Sequence, residues 1–152
     1  MNERDKKLKI RRLRKTDVNE FYEFFTCLSE RTKNFFHPHP FDRETAERLC
    51  KEKDKNTVRF IAIMDDKIVG YGFLWNLNSD FPSLGICVRD DFQGKGIGKT
   101  LMEHLINTAK NKNKKGLILT VYKDNEKALN LYKRYGFEIE RIIYSMKLKF
   151  KK

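Results

Sequence analysis

Eight residues, Gln93-Gly94-Lys95-Gly96-Ile97-Gly98-Lys99-Thr100, constrain this chain more than any others. They follow the apolar run 84–88 and precede helical spacing at Leu101, Met102, Leu105, Ile106 and Ala109. The pattern is a strand, a glycine-rich turn and a helix. Such a junction leaves several backbone N–H groups pointing one way, and the positive end of the helix dipole reinforces them. Gly94, Gly96 and Gly98 let an oxygen-rich group approach the main chain, while Lys95 and Lys99 add positive charge. The turn therefore reads as a phosphate site. Its spacing excludes the two best-known phosphate motifs. A P-loop needs glycine where Gln93 stands, and the dinucleotide fingerprint needs glycine at Lys99.

The elements around the turn narrow the fold further. Residues 8–13 read as a first strand, and Asp17 with Glu20 can make a capping box. Val18, Phe21, Phe25 and Leu28 then give a first helix by spacing. Two prolines end helical character in the segment 35–41, and Asp42 can cap a second helix to about Lys53. A hairpin follows, with arms 58–64 and 68–77 around the polar turn 65–67. In its second arm Val69, Tyr71, Phe73, Trp75 and Leu77 alternate onto one face, and Gly70 and Gly72 thin the other. After the helix that follows the glycine turn come a short strand at 117–121, a helix from Asp124 or Asn125 to about Tyr135-Gly136, and a final strand alternating at Ile142, Tyr144, Met146, Leu148 and Phe150. The order is β-α-α-β-β-β-α-β-α-β-β. Three consecutive strands precede the glycine turn, which does not suit the mainly parallel sheet of P-loop proteins.

A length of 152 residues, without repeat or linker, predicts a single domain spanning 1–152. Cys27, Cys50 and Cys87 are odd in number and form no C-x-x-C pair, which fits reduced structural thiols. No apolar stretch follows the charged N-terminus, and no apolar run approaches the ~18 residues of a membrane span. Together these predict a soluble cytoplasmic protein with no membrane partner. The formal charge of +12 favours anionic partners. Its excess collects at 4–15, 110–115 and 147–152, which read as solvated faces. No aromatic-rich RNA-binding motif or zinc-finger spacing accompanies them, so nucleic acid is not the expected partner.

At this point the residues become recognisable. "VRDDFQGKGIGKTLMEHL" resembles the cofactor motif [RQ]-x-x-G-x-[GA] of the GNAT superfamily of N-acetyltransferases, with Gln93, Gly96 and Gly98 at its defined positions. "LTVYKDNEKALNLYKRYGFE" resembles that family's strand, Asn-containing turn and helix ending in Tyr-x-x-x-Gly-Phe. The resemblance implies a mixed α/β fold with a central, mostly antiparallel sheet of about seven strands, flanked by about four helices. It also implies that acetyl-CoA is the cosubstrate and that the backbone of Gly94, Lys95, Gly96, Ile97, Gly98 and Lys99 holds its pyrophosphate. Main-chain groups of Cys87 and Val88 would pair with the pantetheine arm in a cleft between splayed strands. Asn125 matches the family's asparagine near that arm, and Tyr132 the tyrosine beside the thioester sulfur.

Acetyl transfer to an amine needs a deprotonated nucleophile, donors for charge on the carbonyl oxygen, and a proton or hydrogen bond for the leaving thiolate. A phenol near pKa 10 suits Tyr132 to hydrogen-bond donation more than to full proton transfer. The base does not carry over. Many family members have a glutamate on the strand before the cofactor turn, and "SLGICV" has none. His37, His39 and, through a water, Asp80 are candidates. His37 and His39 make no metal site, for want of further ligands nearby. Phe35, Phe36, His37 and His39 fall where the family builds its acceptor pocket, and the apolar loop suggests a substrate with a nonpolar portion. The acceptor stays open among small amines, amino sugars, polyamines and protein α-amines, as does a homodimer through the final strand. A basic nucleic-acid- or ribosome-associated binding module, and a family member that binds CoA without catalysis, are the alternatives.

Overall fold

β1 (Lys9–Arg12), β2 (Val58–Met64), β3 (Lys67–Trp75) and β4 (Ser83–Val88) form one antiparallel sheet in the order β1-β2-β3-β4. The computed structural model describes residues 7–151. Residues 1–6, where the basic N-terminal run begins, and residue 152 lie outside the described part. Two compact units make up the chain, Met1–Thr120 and Val121–Lys152.

In the first unit, α1 (Val18–Thr26) and α3 (Arg43–Cys50) supply one core. Phe21, Phe24, Phe25 and Leu49 pack there with Ile61, Tyr71 and Phe73 of the sheet. α4 (Ile97–Asn111) supplies another, in which Ile97 and Leu101 meet Ala62 and Val69. Gly70 and Gly72 make room for α4. A Cβ on Gly70 would lie 2.8 Å from Leu101 Cδ1, and one on Gly72 would lie 3.0 Å from Leu105 Cδ1. α3 is capped as expected, with Asp42 accepting from Thr45 N at 2.8 Å. The capping box at α1 does not form. Asp17 turns back instead, accepting from Arg14 N at 2.7 Å and from the Arg11 guanidinium at 2.8 Å.

Several expectations need correction. The described residues hold four strands, not about seven, and five α-helices. The extra helix, α2 (Glu30–Phe35), is six residues long and too short to show an apolar period. Ser29 starts it, accepting from Thr32 N at 3.1 Å. The strand expected at 117–121 is reduced to one parallel bridge, Ser83 with Ile118. The second unit contains α5 (Glu126–Arg134), and no strand is found at Ile142 to Phe150, where the side chains are exposed. A strand exists only through a ladder, and the described residues of this unit offer none.

The hairpin also departs from strict alternation. Ala62 pairs with Gly70 but Ile63 pairs with Ile68, so Val69 is an extra residue in β3. This bulge sends Val69 to the α4 core and Ile68 to the core that holds Tyr71 and Phe73. Val69 therefore does not share a face with Tyr71.

Candidate functional site

The glycine turn is built by backbone conformation. Gly94 (φ 78°) and Gly96 (φ 80°) are left-handed, a region that L side chains enter only at a cost. A Cβ at either position would meet nothing within 4 Å. The protein does not need glycine there for lack of space, so the open volume above the turn is available to a ligand. Gly96 is the N-cap of α4 and brings no side chain to its first turn. Thr100 N is the first helix amide that bonds back, to Gly96 O at 3.1 Å. Ile97 is fully buried and anchors the helix start, while Gln93, Lys95 and Lys99 are exposed. Lys95 Nζ stands 5.4 Å above the Phe92 ring. Gln93 Nε2 donates to Val88 O at 3.2 Å, tying the turn to the end of β4.

The approach to the turn is held from the other side. Asp90 accepts from Ser29 N (2.9 Å), Ser29 Oγ (2.8 Å) and Thr32 Oγ1 (2.8 Å). Burial would raise the carboxyl pKa, but these donors outweigh it and hold it below the ordinary range.

Beside the turn, β4 is the last strand of the sheet, so one side of its ladder faces away from β3. Leu84 N donates outward to Ile118 O at 2.9 Å, and Ile118 N donates to Pro82 O at 2.9 Å. Arg89 N, by contrast, donates inward to Val69 O. Alternation along the strand then assigns the outer edge to Ile86 and Val88, and turns the Cys87 main chain toward β3. The sequence expectation named Cys87 and Val88 for that edge, whereas the ladder turns Ile86 and Val88 outward, because parity is set by the partner strand. The Cys87 side chain is buried, and burial pushes its thiol well above the ordinary range.

On the face opposite α4, a chain of polar groups crosses the core. Arg59 Nε donates to Glu52 Oε2 at 2.8 Å, and Arg59 Nη1 donates to the Tyr71 hydroxyl. His39 Nδ1 lies 2.8 Å from Pro40 O, and Nε2 lies 3.2 Å from the Tyr71 oxygen. A carbonyl can only accept, so Nδ1 carries the proton and Tyr71 donates to Nε2. Both ring nitrogens of His39 are engaged. Burial drives its pKa down to about 4, with the positive charges of Arg59 and Arg48 acting the same way. Burial likewise pushes the Tyr71 phenol up, although Arg59 opposes it. Phe36 belongs to this cluster, its ring 6.0 Å from Tyr71 and 6.1 Å from Phe73. Phe35 ends α2, and His37 is exposed. Asp80 is also exposed, 3.5 Å from Lys115 Nζ.

This arrangement makes stability depend on pH. The unfolded chain protonates His39 near its ordinary 6.5, whereas the fold resists until about 4. Stability should therefore be complete above pH 6.5 and fall as pH drops toward 4, by about 2 kcal/mol after allowance for partial exposure. Urea unfolding at pH 7.5, 5.5 and 4.5 measures this, and His39→Gln should flatten most of the slope. His104, lowered by burial against Phe60, supplies a remainder of the same sign.

Asn125 and Tyr132 lie in the second unit. Asn125 caps α5, its Oδ1 3.5 Å from Ala128 N. Tyr132 is buried, with its ring 5.8 Å from Phe137. Gly136 closes the helix at φ 90°. No group of His, Cys, Asp and Glu among the described residues could hold a metal, and no described helix is long and apolar enough to cross a membrane.

A sheet whose edge strand leads through left-handed glycines into a helix start without a side-chain cap offers its main-chain amides to an anion. Residues 19–137 match the acetyltransferase (GNAT) family, and the chain belongs to that family of N-acetyltransferases. It is 34% identical over 109 residues to the L-amino acid N-acetyltransferase AaaT of Escherichia coli (strain K12), covering 68% of this chain and 65% of that protein. It is 27% identical over 134 residues to a putative [ribosomal protein bS18]-alanine N-acetyltransferase of Bacillus subtilis (strain 168), covering 87% and 82%. Among solved structures, the GNAT domain of S. lividans PAT superposes with a TM-score of 0.79 at 15% identity, over 93% of this chain and 92% of that one. The aminoglycoside N-acetyltransferase AAC(6')-Iy, in complex with CoA, gives 0.71 at 21% identity, over 97% and 99%. At these identities the structures speak to the fold alone.

Proposed function

We propose that this protein moves an acetyl group from acetyl-CoA to a primary amine by direct attack in a ternary complex. The observation that carries the reading is the α4 N-terminus, where left-handed Gly96 leaves the first turn without a side-chain cap and Gly94 and Gly96 border open space. Amides at a helix start suit a diphosphate. The residues fit the coenzyme. The backbone of Gly94 to Lys99 would hold its pyrophosphate, and the Ile86 and Val88 edge would pair with its extended arm. When bound, acetyl-CoA supplies the activated acyl group.

The chain's own task is to position and desolvate. β4 presents an extended edge, and Phe73 and its neighbours keep one side of β3 apolar. His39, with both nitrogens bonded, serves as an anchor for the loop over Tyr71 and not as the proton acceptor. Tyr132 enters through its motif match, as a hydroxyl donor to the departing sulfur. A Tyr132→Phe variant with unchanged turnover would remove it from the mechanism.

Calorimetric titration with acetyl-CoA, ATP and a short oligonucleotide, followed by a thiol-release assay with an amine panel, tests the reading. Binding of acetyl-CoA alone and amine-dependent thiol release are expected. Binding without release would leave a CoA-binding protein, and salt-sensitive oligonucleotide binding without acetyl-CoA binding would favour the basic nucleic-acid module.

A further inference from the structure

We infer that the acceptor is an α-amine with an apolar side chain on the amine-bearing carbon, and that it reaches the site already deprotonated. The inference rests on the acetyl-transfer reading above. Its ground is the pairing of Gly85 with Phe73 across β4 and β3. A Cβ on Gly85 would lie 2.1 Å from Phe73 Cζ and 2.5 and 2.7 Å from the two Cε atoms. The ring therefore sits directly over the glycine. No carboxylate occurs in β4, and none can be placed at Gly85 while Phe73 holds its position.

The neighbouring carboxylates are already committed. Glu52 is bonded to Arg59, Asp90 to Ser29 and Thr32, Asp91 to Arg89, and Asp80 lies beside Lys115. With no carboxylate in β4 to face the amine and both nitrogens of His39 engaged, the ammonium loses its proton to water. Exposed His37 acting as a fixed base is the competing outcome, and the pH dependence of turnover separates the two. That demand separates amine classes. A peptide α-amine has a pKa of about 7.7–8.0 and a lysine side chain about 10.4. At pH 8 roughly half of the former is neutral and well under ~1% of the latter, a difference on the order of 100-fold in reactive species.

The same face indicates what stands beside the amine. Trp75 stacks on Phe73 at 4.4 Å and Phe36 at 6.1 Å, both with 23° between planes. Phe36 and Trp75 are only partly buried, so this platform is open on one side. An aromatic surface whose bordering Arg59 is already paired with Glu52 favours an aliphatic or aromatic group over a polar one. In the reaction, the neutral nitrogen forms a bond to the acetyl carbon while the carbon–sulfur bond breaks. The nitrogen then releases its second proton, and one proton ends on the coenzyme thiol.

Thiol release should be measured with Leu-Gly-Gly, Ser-Gly-Gly, free leucine and Nα-acetyl-lysine amide from pH 6.5 to 9.5. Leu-Gly-Gly is expected to exceed the lysine derivative at least about 30-fold at pH 8, and Ser-Gly-Gly about 10-fold. The midpoint of kcat/KM against pH should track the amine pKa of each acceptor. Free leucine, whose own carboxylate makes its ammonium more basic than a peptide's, should trail Leu-Gly-Gly at pH 8 and gain on it as pH rises, which separates a free amino acid from a chain end. Phe36→Ser, at the part-exposed side of the platform, should erase the leucine-over-serine preference without weakening acetyl-CoA binding in calorimetry, a control that also reports folding. A midpoint common to all acceptors reveals a fixed base and overturns the inference, as does equal use of the lysine derivative. Failure to bind acetyl-CoA at all would instead overturn the acetyl-transfer reading.

Discussion

Replacing Arg59 by methionine is expected to lower the free energy of unfolding by about 3 kcal/mol. Its side chain is 9% exposed and paired with Glu52, which is 24% exposed. The guanidinium also donates to the fully buried Tyr71 hydroxyl and lies 5.7 Å over the Phe73 ring. Methionine keeps much of the apolar stem but leaves the carboxylate of Glu52 without its partner. Breaking a buried pair costs about 3–5 kcal/mol, and the partial exposure of Glu52 sets the lower end. Tyr71 retains His39 as acceptor, so its hydroxyl does not add a full desolvation cost. The double variant Arg59→Met/Glu52→Gln should recover about 1–2 kcal/mol, because it removes the stranded charge. Urea denaturation at pH 7.5 with an unchanged m-value measures both. A loss below about 1 kcal/mol would mean that water screens the pair as it does on a surface.

The same four side chains mark where sequence reading ends. His39 before α3, Glu52 after it, Arg59 in β2 and Tyr71 in β3 come from four separate places, and no spacing rule joins them. The glycine turn was legible because its constraint is local. A left-handed backbone selects glycine whatever surrounds it. The apolar faces of α1 and α4 were legible for a similar reason, since helical spacing is carried by the residues themselves.

Pairing, in contrast, is a property of two strands. The bulge at Val69 was hidden because Ile68 and Val69 are both apolar, so either one fits the buried face. The outer edge of β4 belongs to Ile86 and Val88 for reasons of ladder parity that no single strand carries. The alternation from Ile142 to Phe150 is a genuine period of two, yet it produces no strand without a neighbour to bond. The missing glutamate was visible as an absence in β4. What fills its place, the Phe73 ring over Gly85, needed the sheet register.

Gly96→Val is expected to weaken acetyl-CoA binding at least about 30-fold, equivalent to about 2 kcal/mol. Two costs combine. Gly96 holds φ 80° and ψ 8°, and a β-branched residue resists that region by about 1–2 kcal/mol. The new side chain would also stand in the space over the turn, where a Cβ meets no protein atom within 4 Å. The backbone cost acts on folding and the occlusion acts on the ligand, so the two are separable. Asparagine tolerates the left-handed region, and Gly96→Asn should keep the melting temperature near the parent value while still losing affinity. If calorimetry found parent affinity in both variants, the diphosphate would have to sit elsewhere than at the start of α4. Weaker binding in valine alone would assign glycine a purely conformational duty. Loss in both variants, with asparagine folding normally, would mean that the ligand occupies the volume over Gly96, as a coenzyme held by main-chain amides requires.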